Sequence, residues 1–142
     1  INNIEKFPID NIRFVHFGNN DISLALKYKN MFECMVTGIL EKPTEYLKSK
    51  NKIFGIGGVG AYDSKPISPK LIMEMHNYYN SSRVILSRSF LNKLDLNISK
   101  ASDLSNKYEI NKIFNLISSI FNNTETDFKE SKVMLKEALS KL

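Results

Sequence analysis

The spacing of hydrophobic positions along the first forty residues predicts one short strand followed by a long helix. Over 11–17, β-branched and aromatic residues alternate along the chain, which favours a strand. A Gly-Asn-Asn turn follows, and Asp21 is suited to cap a helix N-terminus. From 22 to 40, apolar residues recur every three or four positions. This spacing predicts a single amphipathic helix over 22–40.

Proline and serine mark the element boundaries in the middle of the chain. A short helical turn is expected around 45–48, after Pro43. Ser68 is suited to cap a helix, and Pro69 fits the first helical position, where its missing N–H has no cost. A helix is therefore predicted to begin here and to end near Tyr79. The glycine-rich segment between these elements is predicted to be a loop.

The C-terminal half is also predicted to be helical. Residues 84–94 match both helical and strand spacing, and we prefer the helix. A short extended segment is expected over 94–98, and two amphipathic helices over 105–121 and 127–142. The predicted fold class is therefore mainly α, a single domain over residues 1–142. We expect a bundle of four or five helices with a minor β element near the N-terminus.

Composition indicates an ordinary globular chain whose positive charge lies close to its glycines. Of 142 residues, 42% are hydrophobic and 25% are charged, which is enough to close one hydrophobic core. The net charge is +5, and the segment between residues 42 and 70 contains six lysines and only two acidic residues. Such a charge favours an acidic partner or a membrane surface, without selecting a fold.

The cysteine content limits the covalent and metal chemistry of the chain. Cys34 is the only cysteine, so an internal disulfide and a multi-cysteine zinc site are both excluded. One cysteine is compatible with the cytoplasm. The sequence begins at Ile1, before which methionine is not normally removed, so further residues are expected upstream and a cleaved export signal is an open alternative. No apolar run is long enough to span a membrane.

Four glycines lie within six residues in the segment KIFGIGGVGAYDSKP. Gly55, Gly57 and Gly60 match the pattern G-x-G-x-x-G. A dinucleotide site needs a buried strand before these glycines and a helix directly after them. Only two strand-forming residues precede them, and two prolines delay the next helix. A P-loop needs Lys and Ser or Thr where Ala61 and Tyr62 stand. We therefore reject both nucleotide motifs and predict no cofactor.

The same segment suggests a surface that docks another macromolecule. It is apolar and has lysines on both sides, so our leading hypothesis is a non-enzymatic module that docks another macromolecule, most simply a protein. Contact of the segment with a membrane surface is compatible with the same pattern. The plain alternative is a structural loop that packs onto the core. A further hypothesis is a structural subunit of a larger assembly, which would bury the loop and bind no free ligand. The predicted partner-binding residues are Phe54, Ile56, Gly57, Gly58, Val59, Tyr62, Lys52 and Lys65.

The second functional hypothesis is a small-anion or nucleotide-phosphate binder, including a small enzyme. Backbone N–H groups of consecutive glycines, here Gly57 to Gly60, can turn inward as an anion nest. Lys52 and Lys65 would add positive charge to that nest.

Candidate catalytic and nucleic-acid residues form no recognisable pattern. No sequence signature assembles a nucleophile with a base, and no spacing suggests a metal site. We predict no catalytic or metal-binding residues and incline against an enzyme. Tyr78, Tyr79 and Arg83 could stack on bases, but no nucleic-acid motif accompanies them, so nucleic acid is not an expected partner. The residues considered for catalysis are Cys34, His16, His76, Asp63 and Glu74.

Overall fold

A three-stranded parallel sheet lies at the centre of the structure. The computed structural model describes residues 3–91, 104–122 and 128–142. The strands are β1 (Phe14–Phe17), β2 (Ile53–Val59) and β3 (Arg83–Leu86), in the order β1-β2-β3. Both neighbouring pairs are parallel. The fold is therefore a mixture of α and β, and the expected helical bundle is wrong.

Helices connect the strands and follow the last of them. Parallel strands need a crossover connection, and here the crossovers contain helices. Short 3-10 turns precede β1 and lie within the first crossover, at Ile4–Lys6, Ile9–Asn11 and Glu33–Met35. The helices are α1 (Asn19–Leu26), α2 (Glu41–Ser49), α3 (Pro69–Tyr79), α4 (Arg88–Leu91), α5 (Leu104–Asn122) and α6 (Phe128–Ser140).

The glycine-rich segment is the central strand β2, so its expected loop conformation is wrong. It pairs with β1 on one side and β3 on the other. Phe54 and Ile56 lie on one face and are buried, and Phe54 meets the ring of Phe17 edge-on, with centroids 6.2 Å apart. On the other face, a Cβ at Gly55 would lie 2.6 Å from Nδ1 of His16. Glycine is therefore needed because neighbouring groups occupy the side-chain space of this strand.

The long helix predicted over 22–40 is also wrong. α1 ends at Leu26, and Lys27 adopts the left-handed conformation with φ 57°. The next amide, of Tyr28, donates back to the carbonyl of Ser23 over 2.9 Å, which closes the helix end. The apolar spacing continues past this point because both α1 and the following 3-10 turn pack against the core. Helical spacing therefore indicates which residues are buried. It does not show that they belong to one continuous helix.

Several predicted elements are confirmed with different lengths. A strand lies within 11–17, although it is shorter, and α2 is longer than the predicted turn at 45–48. α3 begins as predicted, since Ser68 Oγ accepts a hydrogen bond from the amide of Lys70 over 3.3 Å. α5 and α6 match the two predicted C-terminal helices.

The preferred helix over 84–94 is wrong at its start, where β3 runs, although α4 follows. The extended segment expected over 94–98 lies outside the described residues.

α3 connects the sheet to the C-terminal helices. It packs on β2 and against both α5 and α6. Its Tyr79 is buried, and the phenol hydroxyl donates to the carbonyl of Met35 over 2.9 Å. Among the helices that the structure describes, none has the length and apolarity needed to cross a membrane.

Candidate functional site

A cleft of about 730 Å³ opens at the carboxyl ends of the three strands. β1 leads into Gly18 on its wall, β2 contributes Gly57 and Gly58, and β3 leads into Ser87. Because the strands are parallel, their carboxyl ends meet at one edge of the sheet. Open α/β sheets bind their ligands outside this edge. The topology therefore makes this cleft, hereafter the sheet-edge cleft, the leading candidate site.

The N-terminus of α1 forms one wall of the sheet-edge cleft. Gly18 is the N-cap residue and has no side chain to cap the helix, while the Asp21 carboxylate lies close to Gly18. Residues 19–21 form its first turn, and all of them line the cleft. First-turn N–H groups have no partner within their own helix and carry the positive end of the helix dipole. This wall therefore favours an acceptor or an anion.

Asn19 contributes an unpartnered polar group to the same wall. Its side chain is only 3% exposed, and neither Nδ2 nor Oδ1 has a hydrogen-bond partner within the described part of the chain. Buried side-chain amides are nearly always hydrogen-bonded, so such an exception requires an explanation. Asn19 lines the sheet-edge cleft. A ligand in the cleft is one partner that could satisfy this amide.

Gly57 of β2 makes room for the Asn19 amide. Its φ is +45°, a conformation that side-chain-bearing residues rarely adopt, and a Cβ there would clash with the Asn19 amide atoms. The strand and the helix therefore fit together through a glycine on β2 and an asparagine on α1.

The opposite wall follows β3 and carries hydroxyl groups and a positive charge. Ser87 and Ser89 have their Oγ atoms 2.8 Å apart, and Ser89 Oγ accepts the amide of Ala61 over 2.8 Å. Arg88 lies between these serines and lines the cleft. Asp21 faces the same space from α1. The cleft therefore combines N–H donors, hydroxyls, one cation and one carboxylate.

A neighbouring cavity of about 380 Å³ extends this cleft along the sheet edge. The two cavities share Met31, Ser87 and Ser89 as lining residues. The neighbour adds Lys65 and also Ser64, whose hydroxyl donates to Ser89 over 3.3 Å. Lys65 therefore adds a second positive charge near the same sheet edge.

The two histidines lie close enough to interact, His16 on β1 beside Gly55 of β2 and His76 on α3. His16 lines the sheet-edge cleft, and its Nε2 is buried with no partner among the described residues. The Nδ1 of His76 lies 3.0 Å from Ser81 Oγ, while its Nε2 is also unpartnered there. Burial and, to a lesser extent, the charge of nearby His16 together lower the pKa of His76 to about 4. His76 is therefore neutral at pH 7.

The residues predicted to bind a partner lie in different parts of the structure. Phe54, Ile56 and Val59 are buried in the core. Gly57 and Gly58 line the sheet-edge cleft, and Lys65 lines the adjoining cavity.

Two predicted partner-binding residues lie elsewhere. Lys52 precedes β2, at the end away from the cleft, and its ammonium donates to the Asp10 carbonyl over 2.8 Å. Tyr62 is half exposed, and the Lys112 ammonium lies 5.8 Å from its ring centre.

The side chains considered for catalysis have structural environments of their own. Cys34 is buried, its thiol donates to the Met31 carbonyl, and burial raises its pKa to about 12. A thiol with this pKa is not a nucleophile at neutral pH. Glu74 is buried and pairs with Lys70, while Asp63 is exposed.

The described residues bring together neither three metal ligands nor the tyrosine–arginine surface considered for base stacking. Within the described residues, no three His, Cys, Asp or Glu side chains converge to hold a metal ion. Tyr79 is buried, and the Arg83 guanidinium lies over the Phe14 ring, 4.9 Å from its centre.

Sequence reasoning overlooked Asn19, Arg88 and the two serines as site residues. The available signal was FVHFGNND, in which a strand is followed by a glycine and then by a helix N-terminus. That order is typical of the first strand–helix turn of a parallel sheet, whereas the G-x-G-x-x-G pattern pointed to the later glycines. Comparisons with protein-family models, with curated proteins and with solved structures find no match to this chain.

Proposed function

We propose that this protein binds a small ligand with a phosphate or a similar oxyanion in the sheet-edge cleft. The observation that carries the proposal is the buried, unpartnered amide of Asn19 beside the first turn of α1, whose N-cap residue is a glycine without a capping side chain. Phosphate oxygens accept hydrogen bonds from both kinds of donor. One anion at this position would satisfy the helix N–H groups. Asn19 Nδ2, which packs against Gly57 with almost no accessible surface, would reach the same anion by a change of side-chain rotamer.

Charges on the cleft walls make opposite contributions to such a ligand. Arg88 lines the wall opposite α1 and would attract the anion. Asp21 would repel it, although its carboxylate could accept a hydrogen bond from a ligand hydroxyl. The proposal therefore favours a ligand that carries hydroxyl groups in addition to its phosphate.

The geometry favours the small-anion hypothesis over macromolecular docking. Docking through the glycine-rich segment requires exposed apolar side chains, and Phe54, Ile56 and Val59 are buried. The anion hypothesis still puts the ligand beside Gly57 and Gly58, but the groups that bind it differ from those expected from the sequence. Asn19 and Arg88 replace Lys52, because a seven-residue strand of roughly 20 Å separates Lys52 from the cleft.

A titration with inorganic phosphate tests the proposal directly. Amide chemical shifts of the ¹⁵N-labelled protein would be followed while sodium phosphate replaces sodium chloride at constant ionic strength. We expect saturable shifts in residues 18–21 and 87–89. Shifts confined to the lysine-rich 42–52 segment, or no saturable shifts, would overturn the proposal.

Charge variants make the titration specific to the cleft. Arg88→Gln should weaken phosphate binding about tenfold to hundredfold, since a charged hydrogen bond is worth about 1.5–3 kcal/mol. Arg83→Gln is the matched control, because it removes the same charge at the opposite end of β3. Asp21→Asn should strengthen binding severalfold by removing a like charge. Equal effects of the two arginine variants would show that only net charge matters.

A further inference from the structure

We propose that the ligand joins its phosphate to an apolar group of about six carbons, which occupies a second pocket beside the sheet-edge cleft. This inference rests on the proposed function and specifies the class of ligand. The observation behind it is a separate apolar pocket, which shares part of its rim with the sheet-edge cleft.

The second pocket, hereafter the apolar pocket, lies along the free edge of β1. Its volume is about 280 Å³, and its lining is almost entirely aliphatic and aromatic. Two short 3-10 turns before β1 form its outer wall, with Phe7 after the first turn 60% exposed. The side chains that form its interior are Ile4, Ile9, Val15, Phe17 and Ile22.

Three residues line both the apolar pocket and the sheet-edge cleft. His16 comes from β1, Gly18 caps α1, and Asp21 lies in the first turn of α1. The helix N-terminus therefore stands where an apolar surface meets a polar one. A ligand held by its phosphate at this helix end would have its substituent next to the apolar pocket.

The volume of the apolar pocket sets the size of that substituent. A cavity of about 150 Å³ lined by similar side chains is large enough for benzene. A pocket of about 280 Å³ can therefore take an aryl ring or a chain of about six carbons. The expected ligand is an alkyl or aryl phosphate monoester, since the phosphate must keep its remaining oxygens for the helix and for Asn19.

A series of normal alkyl phosphates tests this inference. Affinity would be measured for inorganic phosphate and for methyl, propyl, butyl and hexyl phosphate under the conditions of the phosphate titration. Burial of each methylene should raise the affinity about threefold to fourfold until the pocket is full. Hexyl phosphate should also shift the side-chain methyl resonances of Ile9 and Ile22.

Variants of the pocket wall separate this pocket from any other apolar surface. Phe7→Ser should lower the hexyl-to-methyl affinity ratio at least threefold and leave inorganic phosphate binding unchanged. Ile12→Ser, also in the wall and 39% exposed, should do the same and serves if the first variant does not fold. Phe14→Ser is the matched control, because Phe14 is 48% exposed and does not line this pocket.

The outcomes distinguish the two proposals. If inorganic phosphate binds in the cleft and affinity does not rise with chain length, this inference is wrong and the proposed function stands. If affinity rises with chain length but the Phe7 and Ile12 variants keep the full dependence, the substituent binds elsewhere and the inference is again wrong. If hexanol binds as tightly as hexyl phosphate and inorganic phosphate does not bind, the proposed function is wrong.

Discussion

Asn19 stabilises the folded chain less than a buried asparagine usually does. Leaving a buried polar group without a hydrogen bond costs about 1–3 kcal/mol, and both amide atoms of Asn19 lack a partner within the described residues. Ser23, on the same helix, is buried as well, but its hydroxyl donates to the Asn30 carbonyl over 3.3 Å. The two positions therefore offer a direct comparison of an unpartnered and a partnered polar side chain.

We expect Asn19→Ala to leave the free energy of unfolding unchanged or to raise it by up to about 2 kcal/mol, because the variant removes the unsatisfied amide. The same variant should weaken phosphate binding at least tenfold. Ser23→Ala should instead lower stability by about 1 kcal/mol through the loss of a hydrogen bond, with phosphate affinity unchanged. Urea unfolding and the phosphate titration measure both quantities.

Opposite results for the pair would contradict this reasoning. If Asn19→Ala destabilised the protein more than Ser23→Ala did, the Asn19 amide would have a structural partner, and its orphaned state could not support a ligand site.

At the scale of elements, the sheet-edge cleft depends on how β2 and α1 fit together. Gly57 and Gly38 both have positive φ, at +45° and +84°. A Cβ at Gly57 would clash with the Asn19 amide, whereas one at Gly38 would approach only the flexible carboxylate of Glu41, at 3.3 Å. The two glycines therefore share backbone strain and differ in what surrounds them.

Gly57→Ala and Gly38→Ala should each lose about 1–2 kcal/mol of stability through positive φ. Gly57→Ala should lose more than Gly38→Ala and should also weaken phosphate binding, because the new methyl displaces Asn19. In an Asn19→Ala background, the cost of Gly57→Ala should fall towards that of Gly38→Ala. A double-mutant cycle by urea unfolding measures this coupling, and additive effects would show that the two residues do not interact.

The sequence allowed prediction of those elements whose signals are local. Ser68 and Pro69 specify the start of α3 through a cap and a fixed φ, and the C-terminal helices are long enough for their spacing to be unambiguous. The segment around Gly55 could not be recognised as a strand, since glycine has low strand propensity. Its glycines are required by His16 and Asn19, which lie far away in sequence.

The site was harder to predict than the helices because its parts come from three separate turns. Ser87 and Arg88 reach the cleft only if β3 is a strand parallel to β1, and the spacing at 84–94 favoured a helix. Two of the glycines that the sequence pattern singles out line the cleft. These glycines leave room for side chains of neighbouring elements, and this role can be recognised only when the sheet order is known.

For the whole molecule, the buried histidine links folding to pH. The pKa of His76 is lowered to about 4 in the folded chain, mainly by burial, while an unfolded histidine has a pKa near 6.5. Between these values the unfolded chain binds more protons, so stability falls as the pH falls. This contribution is fully present above about pH 6.5 and is lost progressively towards pH 4.

We therefore expect the free energy of unfolding to drop between pH 6.5 and pH 4, with His76 contributing up to about 3 kcal/mol of that drop. His76→Gln should flatten the profile in this window, even if the variant is less stable at pH 7, because glutamine does not titrate. His16→Gln is the control and should retain most of the slope, because burial is the larger cause of the lowered His76 pKa. Urea unfolding at half-unit pH steps measures the free energy of unfolding of each variant and of the parent protein. The contribution of titrating carboxylates cancels in the difference between the two. A difference between parent and His76→Gln that is constant from pH 7 to pH 4 would show that His76 is protonated equally in both states, and its burial would then have no part in acid sensitivity.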